Sequence, residues 1–265
     1  MNLPRADKAT MARIRDYMAE ARDLPQTPVR LRYLVLSQPR TGGTFLCEAL
    51  ERSGAAGVPA EYLNPAARMA LSRRFGAVRG MSLPRLMEEL HRRRTTSNGV
   101  FGLHLHLEQL RKPLQTEQRI VEWLGTFDRI IFLYRRDKLA QAVSLDRALQ
   151  TSRWFQSAGT ESSSAPVEMR PAGLAGHIMR LFEQEAVLRE HVHAIGRPVL
   201  ELDYESLDND FMAVWPKVTA FLGILPVPAD AVLPELQRMR DAASEKIAEQ
   251  FAAALRDSDL LRTPS

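Results

Sequence analysis

Residues 31–54 read LRYLVL, then SQPRTGGT, then FLCEALERSG. A continuous apolar run of this kind reads as a strand buried on both faces. The following helix begins at the loop and closes near Gly54, a C′ glycine. Strand, tight loop and helix N-terminus in that order mark the place where a phosphate loop, G-x-x-x-x-G-K-[ST], sits in nucleotide-binding folds. The register almost fits: Ser37 takes the place of the first glycine, Gly42 that of the second, and Thr44 that of the Ser/Thr. The lysine position is Gly43, and the only basic group in the loop is Arg40, three positions earlier.

A loop that turns from a strand into a helix offers several N–H groups and the positive end of the helix dipole to an anion. The sequence therefore predicts an anion cradle over residues 38–44. Gly42 and Gly43 let the backbone approach oxygen atoms closely, and Thr41 and Thr44 add hydroxyl donors. A metal-dependent nucleoside triphosphatase is a poor fit. Its loop lysine reaches the β- and γ-phosphates, and a Walker B Asp helps to hold Mg²⁺. Here the third strand ends in Tyr134-Arg135-Arg136. Positive charge from arginine suits an anionic nucleotide bound without metal, and no metal is implied.

Further along, Val100 to Leu107 (VFGLHLHL), Ile130 to Tyr134 (IIFLY) and Pro198 to Leu202 (PVLEL) read as strands. Helices are expected over about 137–151, 173–195, 209–223 and 231–256. Residues 64–98 read as helical and rich in arginine, broken by Gly76, Gly80 and Pro84. Strands separated by helices predict an α/β fold, a P-loop-like single domain over 1–265 with a central, mostly parallel sheet flanked by helices. Residues 1–28 form a helical extension that Pro25 and Pro28 end. The Ser/Gly/Pro-rich stretch 156–173 reads as a mobile loop.

Lysine plus arginine total 36 against 32 acidic residues, a net charge of +4. So small an excess fits any anionic ligand and does not call for nucleic acid. The chain has no apolar run long enough to cross a bilayer and no secretory h-region at its start. Its one cysteine, Cys47, excludes an intrachain disulfide, so a reducing cytoplasm is expected. Cys47 itself reads as a small core side chain.

Three further places carry chemistry. Arg136 ends a strand, and Ser144 follows about two turns into the next helix, where both can reach one further phosphate. Strand alternation puts His104 and His106 on one face. Glu61 follows Gly57 and Pro59 in the loop after the first βα unit, within reach of the cleft at the strand ends.

The pair of motifs, P-R-T-G-G-T after the first strand and R-x(7)-S after the third, resembles the sulfotransferases that use 3′-phosphoadenosine 5′-phosphosulfate (PAPS). SQPRTGGTFLCEALERSGAAGVPAEYLNP (37–65) and RRDKLAQAVSLDRALQTSRW (135–154) are similar to the bacterial trehalose 2-sulfotransferase-like family. The resemblance implies that Arg40, Thr41, Gly42, Gly43 and Thr44 hold the 5′-phosphosulfate and that Arg136 and Ser144 hold the 3′-phosphate. It places Tyr204 near the adenine. Glu61 matches the carboxylate proposed as general base in the trehalose enzyme, and His106 is the rival. His106 stands at the histidine of the K-T-H segment that many other sulfotransferases carry, with His104 at its lysine. The implied acceptor is a hydroxyl on a sugar or glycolipid headgroup, and a homodimer is the family's common assembly. Val58 stands where the trehalose enzyme has an acidic residue, so trehalose itself is not implied. Two other readings stay open: a P-loop-like nucleotide kinase, and a non-catalytic module that binds adenosine bisphosphate.

Overall fold

A computed structural model describes residues 7–77, 80–154, 168, 170–234 and 242–257. Four strands, β1 (Leu31–Ser37), β2 (Val100–His106), β3 (Arg129–Tyr134) and β4 (Val199–Asp203), make one sheet in the order β2-β1-β3-β4. Every neighbouring pair is parallel, as the α/β reading requires. The described helices are α1 (Lys8–Tyr17), α2 (Gly43–Arg52), α3 (Pro65–Arg74), α4 (Leu83–Arg94), α5 (Glu108–Leu114), α6 (Glu117–Leu124), α7 (Lys138–Thr151), α8 (Pro171–Ile195), α9 (Tyr204–Asn209), α10 (Phe211–Leu222), α11 (Ala229–Val232) and α12 (Ala242–Asp257).

The chain divides into two compact units. The larger comprises residues 12–136 and 185–234 and holds the whole sheet. Both faces of the sheet are buried, as the apolar runs predict. On one face Leu34, Leu36, Phe101, Leu103, Leu105, Ile130 and Phe132 pack with Leu71, Leu86 and Leu90 of α3 and α4. On the other, Tyr33, Val35, Ile131 and Leu133 pack with Leu46 and Leu50 of α2 and with Val214, Trp215 and Val218 of α10. Tyr33 lies opposite Gly102 in register. A Cβ on Gly102 would come within 2.3 Å of the Tyr33 ring, so the glycine is the space that ring fills.

The smaller unit comprises residues 1–11, 137–184 and 235–265. Its described core is Ala142, Val143, Leu174, Leu181, Ile247 and Phe251, from α7, α8 and α12.

Several boundaries differ from the sequence reading. Pro84 does not break the helical stretch. It sits in the first turn of α4, where a proline's missing N–H costs nothing. The helices α5 and α6 were not expected: both are short, and α5 carries Pro113 in its body. The expected loop at 156–173 falls largely outside the described residues, and its last three positions already belong to α8. The N-terminal helix ends at Tyr17, well before Pro25. No described helix is long and apolar enough to cross a membrane.

Cys47 is 3% exposed within α2, and burial pushes its thiol well up. Native protein is therefore expected to resist a thiol-specific reagent at pH 8 and to react with one equivalent only in denaturant. Rapid labelling of the native chain would show that this face of α2 opens.

Candidate active site

The loop turns from β1 into the N-terminus of α2 where expected, at the carboxyl end of the strand. Gly42 takes the N-cap position of α2 at φ +82 and has no side chain with which to cap it. The first-turn N–H groups therefore point out of the helix without a side-chain cap. Arg40 adopts φ +66, a left-handed conformation unusual for a side chain other than glycine. The buried guanidinium of Arg135 donates to the Arg40 carbonyl at 3.4 Å and lies 4.5 Å above the Tyr204 ring. The same ring flanks the loop: a Cβ on Gly42 would meet Tyr204 at 2.9 Å. The Thr41 hydroxyl donates to the Gln38 carbonyl at 2.8 Å and so closes the loop on itself, while Thr44 lies in the first turn of α2.

The missing lysine has a steric cause. A Cβ on Gly43 would lie 2.3 Å from Nε2 of His104 and 3.2 Å from Oγ of Ser37. The imidazole of His104 on β2 occupies the space into which a side chain at position 43 would start. Loop and neighbouring strand exclude a Walker lysine together.

That histidine belongs to a polar cluster on the α2 side of the sheet. Ser37 and His106 are partners in the β1–β2 register. The Ser37 hydroxyl lies 3.0 Å from Nε2 of His104 and 3.3 Å from Nδ1 of His106, and the Ser37 carbonyl accepts from Nδ1 of His106 at 2.9 Å. The remaining ring nitrogens turn to Glu61. Its Oε1 is 3.5 Å from Nε2 of His106 and 3.8 Å from Nδ1 of His104. Gln109 on α5 donates to the other carboxylate oxygen at 2.8 Å and accepts from the His106 backbone N–H at 3.3 Å.

Glu61 reaches this point because its loop seals the free edge of β2. The His104 N–H donates to the Ala60 carbonyl at 3.1 Å, and the Val58 N–H donates to the Arg94 carbonyl at 3.2 Å. Gly57 sits at φ +74, and a Cβ there would come within 3.0 Å of the Arg94 and Val100 carbonyls, so only glycine fits this close passage. Val58 is buried.

Burial works against the Glu61 carboxylate, but the two imidazoles and the Gln109 amide outweigh it and hold the group well below 4.5. Burial likewise works against a charge on His106, and the Glu61 carboxylate reverses it, so His106 rises above 6.5. His104, more deeply buried, falls to about 4 and is neutral. The Glu61 carboxylate thus favours the charged form of His106, beside a neutral His104.

Arg136 and Ser144 fall in different compact units. Ser144 lies on α7, at its seventh residue. Nε of Arg136 lies 3.2 Å from Asp203 and 3.6 Å from Glu205, and its backbone N–H donates to Glu205 at 3.1 Å. Arg136, Glu205, Ser206, Asn209, Asp210 and Lys217 line a cavity of about 270 Å³. Ser37, Gln109 and Arg135 were missed by sequence reasoning. Only Arg135 left a signal, as one of two arginines closing β3.

The architecture is a P-loop-like α/β fold, with a strand–loop–helix turn at the carboxyl end of β1 and two histidines on the next strand. The model of the Stf0 sulphotransferase family matches residues 32–254, and the chain belongs to that family. The protein is a sulfotransferase. It is 26% identical over 259 residues to trehalose 2-sulfotransferase from Mycolicibacterium smegmatis, covering 83% of this chain and 93% of that protein. Against trehalose 2-sulfotransferase from Mycobacterium tuberculosis the figures are 28% over 255 residues, with 83% and 94% covered. Among solved structures, the sulfotransferase domain of the Synechococcus PCC 7002 olefin synthase matches with a TM-score of 0.50 at 14% identity, covering 87% of this chain and 97% of that domain. That likeness concerns the fold.

Proposed function

We propose that the protein moves a sulfuryl group from PAPS to a hydroxyl of a carbohydrate or glycolipid acceptor, with Glu61 as the general base. The observation that carries this reading is the position of Glu61, whose Oε1 sits beside the β2 end that adjoins the loop at Gly43. His106 has both ring nitrogens turned to protein partners, the Ser37 carbonyl and Glu61. Glu61 keeps 23% of its side chain exposed and is the member of the pair with oxygen lone pairs to offer an incoming hydroxyl.

In the step itself, the acceptor O–H gives its proton to Glu61 while its oxygen bonds to sulfur. The bond between sulfur and the bridging phosphate oxygen breaks, and adenosine 3′,5′-bisphosphate leaves with the electron pair. N–H groups of residues 42–44 and the Arg40 charge stabilise the leaving phosphate and the equatorial oxygens. Gln109 and His106 orient the carboxylate, while Arg135 holds the Arg40 backbone and supports Tyr204 where an adenine would stack. Arg136 is assigned to the 3′-phosphate. The steric exclusion at Gly43 counts against a kinase.

The curated relatives are named for trehalose, which supports a sugar acceptor. The buried Val58 lies in the loop that carries Glu61, and we assign this chain an acceptor other than trehalose. A panel of sugars and glycolipids incubated with PAPS, read by mass spectrometry, should show a product 80 Da heavier with at least one carbohydrate and little with trehalose. Sulfation of trehalose above every other acceptor would overturn the assignment.

A further inference from the structure

We propose that Glu61, His104 and His106 form a site for a divalent transition ion, Zn²⁺ above all, and that the ion inhibits the enzyme by occupying the general base. Two histidines at alternate positions of one strand face the same way, and Glu61 closes the third side. Donor atoms of the three residues all lie within 4.8 Å of one another. The carboxylate oxygen is 3.5 Å from one imidazole nitrogen and 3.8 Å from the other. A tetrahedral zinc site with bonds of about 2.0–2.1 Å has ligand–ligand edges of about 3.3 Å, so small side-chain adjustments complete it.

The surroundings are those that orient metal ligands. The Ser37 carbonyl takes the Nδ1 side of His106 and leaves Nε2 turned to the centre. The Ser37 hydroxyl does the same for Nε2 of His104 and leaves Nδ1 turned inward. Gln109 holds one oxygen of Glu61 and leaves Oε1 between the two rings. Once His106 gives up the proton it shares with Glu61, three lone-pair atoms converge on one point, so the ion binds in place of that proton. With Glu61 and His106 still 23% and 16% exposed, an ion can enter and a water can complete the fourth position. Glu61, a strong hydrogen-bond acceptor in the free protein, would then spend Oε1 on the metal.

The inhibition, unlike the binding, rests on Glu61 being the base. Co²⁺ titrated into untagged, chelator-treated full-length protein without substrate reads the binding alone. The expected result is visible d–d absorption that saturates at one equivalent per chain and is displaced by Zn²⁺. Affinity should fall by at least about 100-fold in His106→Gln and by about 10–100-fold in Ser37→Ala, which keeps all three ligands. Glu61→Gln serves in place of His106→Gln if that variant does not fold. No absorption with wild type, or an undiminished spectrum in the ligand variant, overturns the site. If binding is established but saturating Zn²⁺ leaves transfer from PAPS undiminished, the inhibitory role is overturned. A fall of at least about tenfold that a chelator reverses supports it.

Discussion

Glu61→Gln is expected to lower kcat by about 10²–10⁴-fold, the usual contribution of a general base, while donor affinity stays near wild type. The amide keeps the size of the side chain and its contact with Gln109 but can accept no proton. The His106→Ala variant should lose less, because His106 meets the reaction through the carboxylate it orients at 3.5 Å. Its defect should appear in kcat rather than in the KM for PAPS. Steady-state kinetics of the two variants in metal-free buffer separate the roles. Near-normal kcat in Glu61→Gln, with a collapse in His106→Ala, would exchange them.

The second large effect is expected at Gly43. Restoring the Walker lysine with Gly43→Lys should abolish transfer and should not create a nucleoside triphosphatase. Its Cβ would stand 2.3 Å from the His104 imidazole, which is 2% exposed and braced by Ser37. Overpacking of this kind costs about 1–3 kcal/mol, and relief by displacing His104 would disturb the cluster on β2. The milder Gly43→Ala should show a lower Tm, and adding His104→Ala should recover part of the loss. The coupling is expected in the range of about 0.5–3 kcal/mol found for residues in contact. A neutral Gly43→Ala, or losses that simply add, would remove the steric account of why this loop lacks its lysine.

The sheet was legible because parallel strands buried on both faces must be apolar along their whole length. LRYLVL and IIFLY have no other economical reading. The cradle was legible because a strand, a Gly-Gly turn and a helix are contiguous in the chain. Pairing between distant segments was not. Ser37 and His106 are 69 residues apart, and only the β1–β2 register brings them together. Gln109 looks like any polar helix residue until β2 places His106 beside it. Of the adjacent Arg135 and Arg136, only Arg136 carried a spacing signal, to Ser144. The structure buries Arg135 against Tyr204 and the loop and leaves Arg136 63% exposed between two carboxylates. His104 was legible as a departure from lysine at its position, but its part in excluding a side chain at Gly43 became visible only from the distance between them.

The most direct measurement is a single-turnover reaction of PAPS with a responsive carbohydrate acceptor in the presence of a chelator, following nucleotide and sugar together. Adenosine 3′,5′-bisphosphate and sulfated acceptor should form one for one, at a rate the chelator does not lower, and both should form about 10²–10⁴-fold more slowly in Glu61→Gln. Nucleotide turnover that requires Mg²⁺ and ATP, or binding of the nucleotide without transfer to any hydroxyl, would contradict a PAPS-dependent transfer driven by this site.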